Sequence, residues 1–190
     1  MYHFENIGFR PIEEDDLYVL KNNHNYNDIL LFLGHAELFS MTDQESWWAT
    51  LVNNPKTKAY CIVKNPLSQE TIGIFRQTNI DHINKNCEIG IDIFLDCRGQ
   101  GYGYKSYRMV LEYLFQHMGM NCVYLRYIDF NERAKRLYDK LGFKETGRFP
   151  EFIYRHGKYW DYVLMCMTRR QYENENTGAR CYGIPREKDL

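Results

Sequence analysis

The chain has 190 residues, enough for one domain with a sizeable core and too few to expect two. Its formal net charge of −1 gives no general attraction to nucleic acid or to an anionic membrane. No run approaches the roughly 20 apolar residues of a membrane span, and the start, MYHFENIGFRP, lacks the basic opening and apolar centre of a signal peptide. A soluble cytoplasmic protein is expected. The six cysteines, Cys61, Cys87, Cys97, Cys122, Cys166 and Cys181, form no C-x-x-C. Four of them fall in apolar strand-like runs, the pattern of buried thiols in a reducing compartment.

In chain order, IGFRPI opens as a short strand, and Pro11 suggests an edge or a strand end. Polar helical sequence follows from about Glu13 to Asn23. Residues 24–40 hold a short apolar patch, DILLFLG, closed by Gly34. Thr42 with Glu45 three residues later reads as a capping box, so a helix is predicted to start there. Trp47, Trp48 and Leu51 on that helix form a packed face or part of a substrate wall. Three strands follow with short turn-rich connectors, AYCIV, TIGIFRQTNI and CEIGIDIFL, and short connections make them an antiparallel meander.

After a glycine loop the period changes. Tyr104, Tyr107, Leu111, Leu114, Phe115 and Met118 mark one apolar face of a helix of about four turns, which Gly119 can end. The next strand is CVYLRYI. A strand–helix–strand crossover makes it parallel to CEIGIDIFL. A second amphipathic helix runs from Asn131, a good N-cap, to Leu141, with Gly142 as a left-handed stop. Strands FKETGRF and YWDYVLMCM complete the sheet. Residues 1–172 are expected to form the single domain, and 173–190 a polar tail.

The glycine loop, CRGQGYGYKS at 97–106, nearly fits three phosphate-binding signatures. As a Walker A loop it lacks the Gly before Lys105-Ser106, and such loops follow early strands of βαβ sheets rather than a meander. As a dinucleotide fingerprint it has Ser106 in place of the third Gly, with no acid about 20 residues on. Arg98-Gly99-Gln100-Gly101-Tyr102-Gly103 fits R-x-x-G-x-G without exception. Glycines let successive N–H groups turn toward one anion, and a helix N-terminus adds its positive end. A plain glycine-rich connector is the alternative.

With CRGQGYGYKSY followed about 30 residues later by NERAKRLYDKLGFKETG, the chain resembles the GNAT superfamily of acetyltransferases. Within it, the chain resembles the branch that includes ribosomal-protein N-terminal and amino-sugar acetyltransferases. The resemblance covers about Gly8 to Arg169. It implies an α+β fold: a mixed, mostly antiparallel sheet of six to seven strands with a central splayed parallel pair, flanked by about four helices. It also implies acetyl-CoA as acyl donor, no metal, and direct attack of an amine on the thioester.

By the same resemblance, pantetheine lies between the splayed strands. It meets backbone at Ile93, Phe94 and Leu95, where the family places a bulge and an oxyanion-binding N–H. Arg98, Gly99, Gln100, Gly101, Tyr102, Gly103 and Asn131 are the remaining cosubstrate residues. Tyr138 matches the tyrosine beside the thioester sulfur, a candidate general acid, although it also sits on its helix's apolar face. Glu88 matches a carboxylate of this branch and is the candidate base, or a surface acid with no role. Glu88 and Asp92 share a face away from Ile89, Ile91 and Ile93, yet lie about 13 Å apart at ~3.3 Å per residue, too far to act as a pair. An unperturbed Glu taking a proton from an ordinary amine is uphill by about 8 kcal/mol, so Glu88 needs burial, a water relay or an amine of lowered pKa.

The acceptor is expected between residues 24–40 and 149–159. Arg155, His156 and Lys158 in the second stretch suit a phosphate-bearing small molecule such as a nucleotide-linked amino sugar. A protein N-terminus or lysine, which would need an open groove, and a catalytically quiet acyl-CoA-binding module are the alternatives. The expected partners are thus a small-molecule amine or a peptide. A homodimer is compatible with the resemblance, and nucleic acid and membrane are not expected.

Overall fold

A computed structural model of the protein describes residues 1–65 and 67–175. Eight strands form one sheet in the order β1-β2-β3-β4-β5-β6-β8-β7. They are β1 Tyr2–Phe4, β2 Ile7–Pro11, β3 Lys58–Val63, β4 Thr71–Asp81, β5 Asn86–Ile93, β6 Cys122–Ile128, β7 Lys144–Arg155 and β8 Lys158–Thr168. All neighbours are antiparallel except β5 and β6. This is the expected α+β architecture, extended by the short β1 and by a β7 that runs well past FKETGRF. The meander and the crossover both fall where the turns and periods place them.

Among the described residues six α-helices flank the sheet: α1 Leu17–His24, α2 Asn27–Leu30, α3 Met41–Asn53, α4 Tyr102–Glu112, α5 Glu132–Leu141 and α6 Arg169–Glu175. The start of α3 corrects the predicted cap. Ser40 rather than Thr42 is the N-cap: its Oγ accepts from the Asp43 amide at 3.2 Å, and Asp43 Oδ2 accepts from the Ser40 amide at 2.9 Å. Both pairs have the same three-residue spacing, so spacing alone does not choose between them. Helix α4 passes into a π-type turn over Tyr113–His117 before Gly119, at φ 68°, ends it. Helix α6 crosses the boundary expected at residue 172, and the rest of the predicted tail, with Cys181, lies outside the described residues.

Two apolar clusters lie on the two faces of the sheet. Phe75, Cys87, Ile89, Val123 and Leu125 pack with Tyr107, Val110, Leu111 and Leu114 of α4. Ile74 and Cys61 pack with Leu17, Leu20 and Leu51 of α1 and α3, and Trp47 and Trp48 lean on this second cluster. Cys61 and Cys87 are fully buried, and burial pushes their thiols up to about 12 and about 11, as expected of inert core cysteines.

The parallel pair positions everything that follows. Ladder pairing between β5 and β6 covers Asn86 with Cys122, Cys87 with Val123, and Glu88 with Tyr124, and then stops. Each strand stays bound to its outer neighbour beyond that point, β5 to β4 through Gly73–Ile93 and β6 to β8 through Ile128–Tyr162. The inner edges therefore diverge. Gly73 allows β4 this close to β5: a Cβ there would sit 2.4 Å from the Asp92 carbonyl oxygen. Gly73→Ala is expected to lower the unfolding free energy by about 1–3 kcal/mol in urea denaturation, the usual range for overpacking. An unchanged midpoint would show that the two strands do not need this approach.

Candidate active site

A cavity of about 770 Å³ occupies the gap between β5 and β6. Of the residues singled out from sequence, Glu88, Ile93, Phe94, Arg98, Gly103, Asn131 and Tyr138 line it. Leu95, Gly99, Gln100, Gly101 and Tyr102 do not; they belong to the loop outside it. Tyr102 is 9% exposed and packs in the main core, so the loop offers its amide rather than its ring.

The loop keeps its glycines for backbone reasons. Gly99 and Gly101 sit at φ 78° and 82°, which L side chains rarely adopt, and the space where a Cβ would project is open at both. Gly101 caps α4, leaving the first amides of that helix pointing outward. Arg98 is buttressed: Nε donates to the Ile93 carbonyl at 3.0 Å and Nη1 to the Asp28 carbonyl at 3.0 Å. Gln100 Nε2 donates to the Asp96 carbonyl at 3.1 Å, tying the loop to itself. Asn131 caps α5 by accepting from the Ala134 amide at 3.1 Å.

At Ile93–Leu95 the strand behaves differently from the expected bulge. The register shift between β4 and β5 falls at Thr78/Asp81, and β5 leaves the sheet through a tight turn at Leu95–Cys97. The Phe94 amide is already bound to the Ile72 carbonyl at 2.8 Å. Because amides alternate along a strand, those of Ile91 and Ile93 then face the gap. The Ile91 amide opposes a small part of what burial does to the Tyr107 phenol. The Ile93 amide remains directed into the gap.

Tyr107 was not legible as a site residue from sequence, where it looked like core. Its hydroxyl donates to Tyr138 Oη at 3.2 Å, with the two rings edge-on at 5.5 Å. The Tyr107 proton is thus engaged by Tyr138, whose own proton is left for the cavity. Burial pushes the Tyr138 phenol up to about 12, and the hydrogen bond from Tyr107 only partly opposes it. Burial also pushes Tyr107 well above its ordinary value. Both stay protonated at neutral pH.

Glu88 is buried rather than surface-facing. Its Oε1 accepts from Arg126 Nε at 2.7 Å, and its Oε2 accepts from Arg126 Nη2 at 2.8 Å and Asn79 Nδ2 at 2.9 Å. Asn79 reaches it because the register shift places that residue at φ 50°, a conformation Asn tolerates. Asp92, four residues on, is ion-paired with Arg76 of β4. Both acids on this face are therefore occupied by arginines from the adjoining strands.

The acceptor stretches meet the cavity in part. His24, Phe32, Leu33, Gly34, His35 and Phe39 line it from one side. Trp47, left open between core and substrate wall, packs on the second cluster and also lines the cavity. From the second stretch only Phe152 and Ile153 line it. The hairpin's basic residues do other work. Arg155 Nη2 donates to the Leu33 carbonyl at 2.9 Å, the His156 ring meets Phe130, and Lys158 lies 3.7 Å over Trp160. The Arg155–Leu33 bond and the contact of Phe32 with Phe130 at 5.4 Å draw α2's loop across the open strands as a roof.

A family model for the acetyltransferase (GNAT) domain matches residues 6–144. The chain belongs to the GNAT acetyltransferases. It is an acyltransferase of the N-acetyltransferase type. Spermidine N(1)-acetyltransferase of Vibrio cholerae is 23% identical over 170 residues, covering 90% of this chain and 97% of the relative. The ribosomal protein uS5-alanine N-acetyltransferase of Escherichia coli, from the branch expected from sequence, is 23% identical over only 55% of this chain and 54% of its own. The similarity to the spermidine enzyme thus runs over most of both chains, and that to the ribosomal enzyme over about half. The crystal structure of the V. cholerae spermidine N-acetyltransferase with CoA and spermine shares the fold at a TM-score of 0.83 and 22% identity, over 89% of this chain and 99% of that one.

Among the described residues no group of three His, Cys, Asp or Glu could hold a metal ion, and no helix is long and apolar enough to cross a membrane. The Glu88 cluster is open to a direct check. Glu88→Gln leaves Arg126 with one acceptor fewer in a largely buried site, and is expected to lower stability by about 1–3 kcal/mol in urea denaturation. Unaltered stability would mean the pair is not formed.

Proposed function

We propose that this GNAT enzyme transfers an acetyl group from acetyl-CoA to the primary amine of a small molecule. The observation that carries this reading is the roofed gap between β5 and β6, with Tyr138 aimed into it and a glycine loop at one end. The residues present fit the cosubstrate. Open space at Gly99 and Gly101 admits phosphate against backbone amides, and Arg98 and Arg133, both lining the cavity, supply positive charge. When bound, acetyl-CoA supplies an acetyl thioester whose leaving thiol has a pKa of roughly 8.5.

The chain's own residues then have separable tasks. The Ile93 amide is the donor available to the carbonyl oxygen as negative charge grows on it. Tyr138 donates its hydroxyl to the leaving sulfur, held in that sense by Tyr107. Complete proton transfer from a phenol near 12 to such a thiolate is uphill by about 5 kcal/mol, so Tyr138 stabilises the sulfur through the hydrogen bond. The proton that ends on the thiol comes from the nitrogen that has attacked. Glu88, with both oxygens engaged, holds Arg126 in place and is replaced as base by an amine that arrives neutral.

Kinship offers a polyamine as acceptor and, through the shorter ribosomal matches, a protein N-terminus. The roof over the gap supports a small molecule over a peptide. The expectation of a phosphate-bearing amino sugar depends on Arg155, His156 and Lys158, which do not line the cavity. Self-association belongs to the proposal as well, since a V. cholerae relative is a dodecamer and β7 is an edge strand of the sheet among the described residues.

Two measurements test this. Saturating acetyl-CoA, at about 100 times its Kd, is expected to stabilise the protein by about 2.7 kcal/mol, seen as a raised thermal midpoint. Tyr138→Phe is expected to keep that shift while lowering kcat for thiol release about 100-fold. Tyr107→Phe should lower kcat about tenfold with KM little changed. Full activity in Tyr138→Phe removes its role. A raised midpoint without thiol release across primary amines would instead mark an acyl-CoA-binding module.

A further inference from the structure

Six charged side chains line the cavity: Arg76, Glu88, Asp92, Arg98, Arg126 and Arg133. Arg98 and Arg133 stand at the glycine-loop end. The other four face the acceptor side as two ion pairs, Glu88 with Arg126 and Asp92 with Arg76. Among the described residues, each carboxylate lining the cavity is already neutralised by an arginine. An ammonium brought out of water into such a place meets no carboxylate whose charge is not already balanced, and two or three of them on one chain multiply the loss.

Aromatic faces are the other way to hold a cation, and here they are mostly spent on one another. Arg126 already covers Tyr162 at 5.1 Å, Phe152 stacks on the same ring at 6.0 Å, and Phe39 lies on His24 at 4.2 Å. What these rings, with Trp47, present to the acceptor is apolar surface. That surface and an electrically neutral floor suit a molecule with one amine and an apolar body.

Resting on the small-molecule reading above, we infer that the acceptor is a monoamine carrying an aromatic or apolar ring, and that polycations are poor acceptors. The neutral floor also answers the missing base. A site whose carboxylates are both neutralised by arginines does little to stabilise the ammonium form, so the amine enters as the free base that attack requires. Opening either ion pair would create the carboxylate that a polyamine needs.

The test compares kcat/KM for thiol release by the wild-type protein at saturating acetyl-CoA, with 2-phenylethylamine and tyramine against spermidine and spermine. The ring-bearing monoamines are expected to exceed the polyamines at least tenfold. Arg76→Gln, which frees Asp92, is expected to move that ratio about tenfold toward spermidine. Spermidine matching or exceeding the monoamines in the wild type overturns the inference and leaves the acetyltransferase reading intact. A ratio unmoved in folded Arg76→Gln overturns the charge account; the wild-type comparison stands alone if that variant does not fold. No turnover of any amine, while acetyl-CoA still raises the thermal midpoint, overturns both readings.

Discussion

The structure depends on a ladder that stops early. β5 and β6 pair over three residues and then part, because each is held more firmly by its outer neighbour than by the other. Parting leaves backbone groups on two inner edges without ladder partners, a cost that most sheets avoid. Here those groups are put to use. The Ile93 carbonyl goes to Arg98, and the Ile93 amide is left facing the gap.

The same divergence joins the two faces of the sheet. On one face α4 and α5 bring the glycine loop, Tyr107 and Tyr138. On the other, α1–α3 and the β7–β8 hairpin bring the aromatic walls and the roof. Neither face alone supplies both the glycine loop and the aromatic walls. At the fork the Glu88–Arg126 pair bridges β5 and β6 just where their ladder ends, with Asn79 completing the carboxylate's shell. A charged clamp at that point resists both closure of the gap and further unzipping.

Much of this was legible in the sequence. The glycine spacing, the change from a period of two to one of 3.6, and Asn131 with Gly142 at the ends of α5 are local signals, and the structure follows them. Contacts between distant positions were not legible. Arg126 lies 38 positions from Glu88, and Tyr107 lies 31 from Tyr138, so neither partnership leaves a local pattern. Tyr107 fitted its helix's apolar face and was read as core, which it also is. Arg155, His156 and Lys158 looked like a basic patch because sequence shows their charge and not the carbonyl and rings that occupy them.

If the gap is the slot for the acyl donor, the backbone groups left by the stopped ladder must be covered when acetyl-CoA binds. Amide hydrogen exchange with and without acetyl-CoA reads this directly. Slowed exchange at Ile93 and at the first-turn amides of α4, from Tyr102 to Tyr104, is the expected result. Unchanged exchange at all of these positions under saturating acetyl-CoA would contradict it.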